Sequence, residues 1–401
     1  MKTTKILLLL LMTTSIANAQ TITSGSKSTR QKTDAWRHSW ENLSSLPQKY
    51  ADFKKKLADK TGINYTLDAS FLPQRVSPNG KKTAWQSQYY GTIGWNMFSS
   101  DTWGSGMLQA AYTAVRYWGT NGNDLSNQIG VLNPINDYPE NSNYFDQLSY
   151  THTFAGKANI LSVTIGQFPM YLFDGGDYNA NQQINFLNEA LSQNATASYP
   201  SASLGAYATL TPNEQLSISF GAQNANNISG ETISWNKMKK GKFTEFVSAT
   251  WTPTFFGQPG QYSVLLYNQP DTDEQDITSR GWSINLQQNI TDKIALFGRI
   301  SGAGQSAEFA KQSYVFGGVY NNPFNRNELD QIGLATAFNK LNQDINGPGT
   351  RSWESVVEGY YAFGISNFMT ITPDFQFYIN PGADLNRNTA FATSLRATLM
   401  F

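Results

Sequence analysis

Apolar and polar residues alternate with a period of two along most of the chain. Leu216, Ile218 and Phe220, for example, alternate with Ser217 and Ser219, which puts an apolar row on one face of a strand and a hydroxyl row on the other. Sixteen segments follow this pattern, and we predict a strand for each of them. They span residues 63–72, 86–98, 105–117, 144–154, 160–168, 203–210, 214–223, 243–252, 261–268, 280–289, 293–302, 313–320, 330–339, 353–366, 369–380 and 390–401.

The connections between these segments alternate in length. Short turns on one side and long loops on the other, with an even strand count near sixteen, are typical of a membrane barrel that encloses an aqueous channel. One segment alone could be half of a soluble β-sandwich, but sixteen in succession predict an all-β fold, a transmembrane antiparallel β-barrel of about sixteen strands. The short connections follow even-numbered strands and are 155–159, 211–213, 290–292 and 367–368. The long ones follow odd-numbered strands and are 118–143, 169–202, 224–242 and 340–352. Two connections after even-numbered strands, 253–260 and 321–329, are longer than the pattern predicts.

The first residues have the pattern of an export signal. Lys2 and Lys5 precede an apolar run at 6–12, and Ala17-Asn18-Ala19 supplies a small-residue cleavage site. We therefore expect residues 1–19 to be a signal peptide, 20–62 a periplasmic segment and 63–401 the barrel, which places the protein in a bacterial outer membrane.

The segment before the first strand contains one short amphipathic pattern. Tyr50, Phe53 and Leu57 recur at helical spacing between Pro47 and Gly62. The pattern predicts a helix packed against the barrel entrance, and the alternative is a helix that plugs or lines the periplasmic mouth.

The last predicted strand ends on Phe401, with Phe391, Leu395 and Leu399 on the same face. An aromatic C-terminus on an alternating strand resembles the signal by which Gram-negative barrels reach their insertion machinery. This machinery and the lipid of the outer membrane are therefore expected partners.

Composition excludes several other classes of protein. The chain has 29 basic and 29 acidic residues and therefore no basic excess for binding nucleic acid. It contains no cysteine, which excludes disulfides and thiolate metal sites. Charged residues make up 14% of the chain, below the roughly 25% of soluble domains. Only His38 and His152 could serve as a histidine base; the first precedes the barrel and the second falls on its lipid side, so we expect no enzyme, no cofactor and no metal.

Several stretches resemble the family of carbohydrate-selective porins of the OprB type. They include the turn "DTWGSGML", the strand end "LSVTIGQFP" with the loop that follows it, and the closing "VVEGYYAFGISNFMTITPDFQFYINPGAD" and "FATSLRATLMF". The resemblance covers nearly the whole mature chain and implies a sugar-conducting barrel that assembles as a homotrimer. The chain departs from the family in having Asn-rich strands and fewer arginines predicted to face the lumen.

Strand parity and loop length nominate the residues that face the pore. Polar residues in strands must face inward, because a charge at the lipid midplane costs about 2 to 4 kcal/mol. Arg299 and Glu358 are the two groups that we expect to bind sugar hydroxyls, and the long loop 169–202 is expected to fold inward and narrow the pore. The other pore-lining candidates are Glu354, Arg396, Asp374 and Gln376 in strands and Asp174, Asp177, Tyr178 and Phe186 in the loop.

These features predict a passive diffusion channel for carbohydrates or similar small polar solutes. Two alternatives stay open at this point. One is a general porin without sugar preference, and the other is a plugged surface barrel that acts as an adhesin or structural protein.

Overall fold

The protein folds into a closed antiparallel barrel of sixteen strands. The computed structural model describes residues 41–78 and 80–401. Each barrel strand pairs with the next barrel strand along the chain, and the first strand, residues 63–77, closes the barrel by pairing with both the second and the last. The strands are β1 (Ile63–Ser77), β2 (Ala84–Ser100), β3 (Gly104–Tyr117), β4 (Ser142–Thr153), β5 (Leu161–Phe168), β6 (Ser203–Asn213), β7 (Leu216–Asn224), β8 (Phe243–Trp251), β9 (Thr254–Phe255), β10 (Gln258–Gln269), β11 (Ser279–Asn289), β12 (Ile294–Ala303), β13 (Ala310–Asn321), β14 (Gln331–Leu341), β15 (Trp353–Gly364), β16 (Met369–Ile379) and β17 (Thr389–Met400).

The period-two pattern corresponds to an apolar outer face and a polar inner face. On β2, Tyr89, Ile93 and Trp95 are 49%, 53% and 41% exposed, whereas Gln88 between them is 4% exposed. Exposed apolar side chains in such rows suit a barrel surrounded by lipid. The predicted sixteen-stranded barrel is confirmed.

The unusually long connection after β8 is a hairpin tip rather than a loop. Strand β9 has only two residues and pairs with the first residues of β10, outside the barrel sheet. Phe256 and Gly257 between them have φ values of 54° and 78°, as a tight hairpin turn of this kind requires. The extra strand therefore leaves the barrel count at sixteen.

The predicted helix is present before the barrel and is longer than expected. Helix α1 (Glu41–Thr61) begins upstream of Pro47 and ends before Gly62, whose φ of 75° suits a glycine terminus. The Tyr50 ring meets Tyr65 and Phe401 edge to face, at centroid distances of 6.2 and 5.9 Å. Phe53, predicted on the same apolar face, is 55% exposed, so only part of that face packs on the barrel. In the described part of the chain, no helix has the length and apolar character needed to cross a membrane.

Two long loops fold into one end of the barrel, which we call the loop end; the end with short connections is the turn end. The loop after β3 contains α2 (Gly122–Ile129), which begins with a capping box between Asn121 and Asp124 and buries Leu125 completely. The loop after β5, residues 169–202, begins with the 3₁₀ helix Met170–Phe173 and buries Leu187 and Leu191 completely. Three four-residue helices complete the connections: α3 (Glu189–Ser192), α4 (Trp235–Met238) and α5 (Gln343–Asn346).

Candidate functional site: the pore and the loop that narrows it

Glu358 on β15 binds the backbone of the inward-folded loop. Its two carboxylate oxygens accept hydrogen bonds from the amides of Leu187 and Asn188, at 2.5 and 2.9 Å. The side chain is fully buried. A carboxylate that accepts two amide hydrogen bonds fixes the position of the segment that donates them. Glu358 is therefore an anchor of the loop.

Arg396 on β17 holds the same loop through its carbonyl groups. Its Nη1 donates to the carbonyl oxygens of Gln182 and of Asn185, the latter at 2.7 Å. Thr398, two residues further on the same face, donates to the Gln183 carbonyl at 2.7 Å. Strand β17 thus donates hydrogen bonds to the loop carbonyl groups that point at the barrel wall.

Arg299 on β12 joins the loop to the neighbouring strand. Its Nε donates to Oδ1 of Asn285 at 3.0 Å, and its Nη2 donates to the Asn179 carbonyl. Asp174 lies beside this group and accepts hydrogen bonds from Asn285 and from the Ser283 hydroxyl, at 2.9 and 2.6 Å. The guanidinium, a predicted sugar-binding group, is used here to hold the loop against β11 and β12.

Glu354 anchors the loop after β3 to the barrel wall in the way that Glu358 anchors the loop after β5. It accepts hydrogen bonds from the backbone amides of Leu132, Asn133 and Gly382, at 3.0, 2.8 and 2.5 Å. Gln376 on β16 donates to the Ile135 carbonyl at 2.9 Å. Two loops and one half of the wall therefore form a single hydrogen-bonded body inside the barrel.

The remaining predicted site residues are distributed between this body and the open part of the lumen. Asp374 is buried on β16, in register with Tyr360 of β15. Phe186 is fully buried and packs against Phe297 and Tyr360, at centroid distances of 5.5 and 4.9 Å. The Tyr178 hydroxyl accepts a hydrogen bond from Asn321 at 3.2 Å. Among the predicted residues, only Asp174 and Asp177 line one of the two cavities described next.

The open part of the lumen lies along the opposite wall. A cavity of about 1180 Å³, including its solvent-open part, occupies the turn end between β2–β8, β10 and the inward-folded loop. Many of the side chains that line its wall carry hydroxyl groups. The hydroxyl-bearing strand residues are Ser105, Thr151, Thr153, Ser162, Thr164, Tyr207, Thr209, Ser217, Ser219, Ser248, Thr250 and Ser263.

A second, smaller cavity lies toward the loop end. It encloses about 580 Å³ and is lined by Gln88 and Tyr90 of β2 and by residues of both inward-folded loops, among them Asp137, Tyr138 and Asp174. The two cavities lie one after the other along the barrel, the first at the turn end and the second toward the loop end.

Carboxyl groups cluster on the loops at the loop end. Burial raises the pKa of Asp137 and of Glu308 to about 7. Burial, together with the nearby charges of Glu308 and Asp137, raises the pKa of Glu189 well above its ordinary value. These groups give the loop end a charge that depends on pH near neutrality.

Apart from Asp174 and Asp177, sequence reasoning did not select the residues that line these cavities. The parity of β2 already put Tyr90 on the water-facing side with Gln88, so that signal was available. The serine and threonine rows of β6 and β7 were visible in the same way. Nothing in the sequence indicated that Tyr171, in a loop, would point into the lumen.

Comparison with known proteins identifies the family to which this pore belongs. The model of the carbohydrate-selective porins, OprB family, matches residues 98–401. The chain belongs to the OprB family. Porin AaxA of Chlamydia pneumoniae is 37% identical to it over 372 residues, which cover 90% of this chain and 84% of that protein. Porin AaxA of Chlamydia muridarum is 36% identical over 368 residues, covering 86% and 79% of the two chains.

The solved structure of Pseudomonas putida OprB at high pH shares the fold of this OprB-family barrel. Its TM-score is 0.72 at 17% identity, and the match covers 88% of this chain and 97% of that one. Family and fold together indicate an outer-membrane porin, a channel for small solutes. The predicted family and the predicted barrel are both confirmed.

Proposed function

We propose that this porin lets carbohydrates or similar small polar solutes cross the outer membrane by passive diffusion. The observation that carries the proposal is the hydroxyl-lined cavity of about 1180 Å³ along β2–β8 and β10. Serine, threonine and tyrosine hydroxyls both donate and accept hydrogen bonds, so they can replace the hydration of a polyol as it passes. The family's description as carbohydrate-selective supports the same class of solute.

The general porin without sugar preference is a second candidate that one observation favours. Arg299 and Glu358, the expected sugar-binding pair, are both engaged by the inward-folded loop. Sugar recognition would therefore depend on neutral hydroxyls and tyrosines, which discriminate less sharply than a charged pair.

We also propose the segment boundaries of the chain and its partners in the outer membrane. Residues 1–19 act as a cleaved signal peptide, 20–62 as a periplasmic segment and 63–401 as the barrel. The strand ending on Phe401 is recognised by the insertion machinery, outer-membrane lipid surrounds the barrel, and three copies assemble as a homotrimer.

Planar bilayers provide the test. Refolded protein should give discrete single-channel steps, and glucose or longer linear glucose oligomers should block the current saturably. Channels that show no saturable block would favour the general porin. The absence of any steps would contradict both porin functions and favour the plugged surface barrel.

The variant Arg299→Ala separates a direct role in sugar binding from a role in holding the loop. Loss of sugar block at unchanged conductance would indicate that Arg299 contacts the sugar. A rise in conductance together with weaker block is the result expected from its bond to the Asn179 carbonyl.

A further inference from the structure

One side chain lines both cavities of the lumen. Tyr171 lines both the cavity at the turn end and the cavity toward the loop end, and it is the only residue common to the two. This phenol therefore lies between the two cavities.

The start of the inward-folded loop holds Tyr171 in place. Met170 is fully buried in an apolar cluster with Phe168. The Phe173 ring packs against Phe246 and Tyr207, at centroid distances of 4.6 and 5.1 Å. Apolar contacts on both sides of Tyr171 thus fix the backbone that carries it, while Tyr171 itself keeps part of its surface exposed.

The phenol oxygen of Tyr171 reaches the part of the wall that β2 and β4 form. It lies 3.5 Å from the hydroxyl of Tyr90 on β2 and donates to Oδ1 of Asp146 on β4 at 3.3 Å. Asp146 is in turn held by a 2.6 Å hydrogen bond from the Thr113 hydroxyl on β3. Three adjacent strands and the loop therefore converge on one ring of polar atoms.

We infer that the ring formed by the phenols of Tyr171 and Tyr90, with the fully buried Asp146 behind them, is the constriction of the pore and determines which solutes pass. This deepens the proposed pore function and rests on it. The two contacts to Tyr171, at 3.3 and 3.5 Å, are near the limit of a hydrogen bond, so a solute can replace them at little cost.

The chemistry of the ring defines the class of solute. The phenols of Tyr171 and Tyr90 line the cavities and can both donate and accept hydrogen bonds, whereas the Asp146 carboxylate is buried behind them and acts through its charge. Hydroxyl and amino hydrogens of a solute can therefore bind at the ring, and the phenol faces can pack against the apolar face of a flat solute. The carboxylate repels anions of similar size, so the ring favours neutral polyols and cations over anions.

Single-channel recording of wild-type protein and four variants tests the inference. Tyr171→Ala should raise the conductance about twofold because it removes the obstacle between the cavities. Asp146→Asn should lower the potassium-to-chloride permeability ratio by about twofold, at nearly unchanged conductance. Tyr89→Phe alters a phenol on the outer face of β2, next to Tyr90, and Asp276→Asn removes an exposed charge in the loop after β10; neither control should change these quantities.

The outcomes distinguish this inference from the pore function on which it rests. If wild-type protein forms channels but Tyr171→Ala keeps its conductance and Asp146→Asn its selectivity, the constriction lies elsewhere. If wild-type protein forms no channels, the pore function itself fails. Tyr90→Phe replaces Asp146→Asn should that variant fail to refold: it removes one hydroxyl of the ring and should weaken sugar block, and unchanged block would overturn the inference.

Discussion

At the scale of single residues, the charged groups inside this barrel act mainly on the protein's own backbone. Glu358 and Glu354 each accept amide hydrogen bonds from an inward-folded loop, and Arg396 donates to the carbonyls of one of them. A charged group buried in a lumen has to find partners, because leaving it unpaired is costly. In this chain the loops supply those partners.

Glu358→Gln should loosen the loop that carries Leu187 and Asn188. The amide keeps one acceptor oxygen but loses the charge, and hydrogen bonds to charged groups contribute about 1.5 to 3 kcal/mol each. We expect a lower free energy of unfolding, by denaturant titration, and larger fluctuations of the open-channel current.

Glu214→Gln is the matched control for this substitution. Glu214 is exposed in the turn after β6, so its replacement should change neither the free energy of unfolding nor the current noise. Equal effects of the two substitutions would contradict the anchoring role of Glu358.

Parity arguments from the sequence succeed for side-chain direction but not for side-chain partners. They placed Glu358 and Arg299 toward the lumen, because each strand must turn its polar row away from lipid. The groups that bind Glu358 lie 171 and 170 positions away along the chain. A period of two carries no information about contacts at that separation.

At the scale of elements, helix α1 is attached where the first and last strands meet. Tyr50 contacts Tyr65 of β1 and the terminal Phe401. Helical spacing predicted the helix between Pro47 and Gly62, and the described residues are helical from Glu41 to Thr61. Tertiary contacts of this kind decide which part of an amphipathic face is buried.

Tyr50→Ala should detach the helix from the barrel without unfolding the barrel. Edge-to-face aromatic pairs contribute about 0.5 to 1.5 kcal/mol each beyond burial. Limited proteolysis should then cleave the helix faster, while the heat-modifiable gel migration of the barrel is unchanged.

Phe53→Ala offers a control on the same helix, because Phe53 is 55% exposed. Its cleavage rate should stay close to that of the wild type. Faster cleavage of this variant than of Tyr50→Ala would show that the helix docks through another face.

At the scale of the whole molecule, the lumen is divided into a filled half and an open half. The filled half holds the anchoring charges, and the open half is a mainly hydroxyl-bearing surface, with Asp177 of the loop, that ends toward the loop end in a group of carboxyls. The carboxyls at the loop end lie on loops, where the pKa of Asp137 is raised by burial to about 7.

The ion selectivity of the pore should depend on pH near neutrality. Because the pKa of Asp137 is raised, this carboxyl is largely ionised at about pH 8 and largely protonated at about pH 6. Lowering the pH through this window should reduce the preference for cations, as measured by the reversal potential in a potassium chloride gradient. Asp137→Asn should show a smaller change over the same window; a reversal potential independent of pH in the wild type would refute the prediction.

The division of the lumen into two halves can be tested directly because the chain has no cysteine. Thr209 lines the open cavity, whereas Thr372 on the filled side is fully buried. The decisive measurement is the single-channel current of Thr209→Cys and Thr372→Cys before and after a cationic methanethiosulfonate reagent. We expect a stepwise fall in current for Thr209→Cys and none for Thr372→Cys. A fall for Thr372→Cys with none for Thr209→Cys would contradict the path described here.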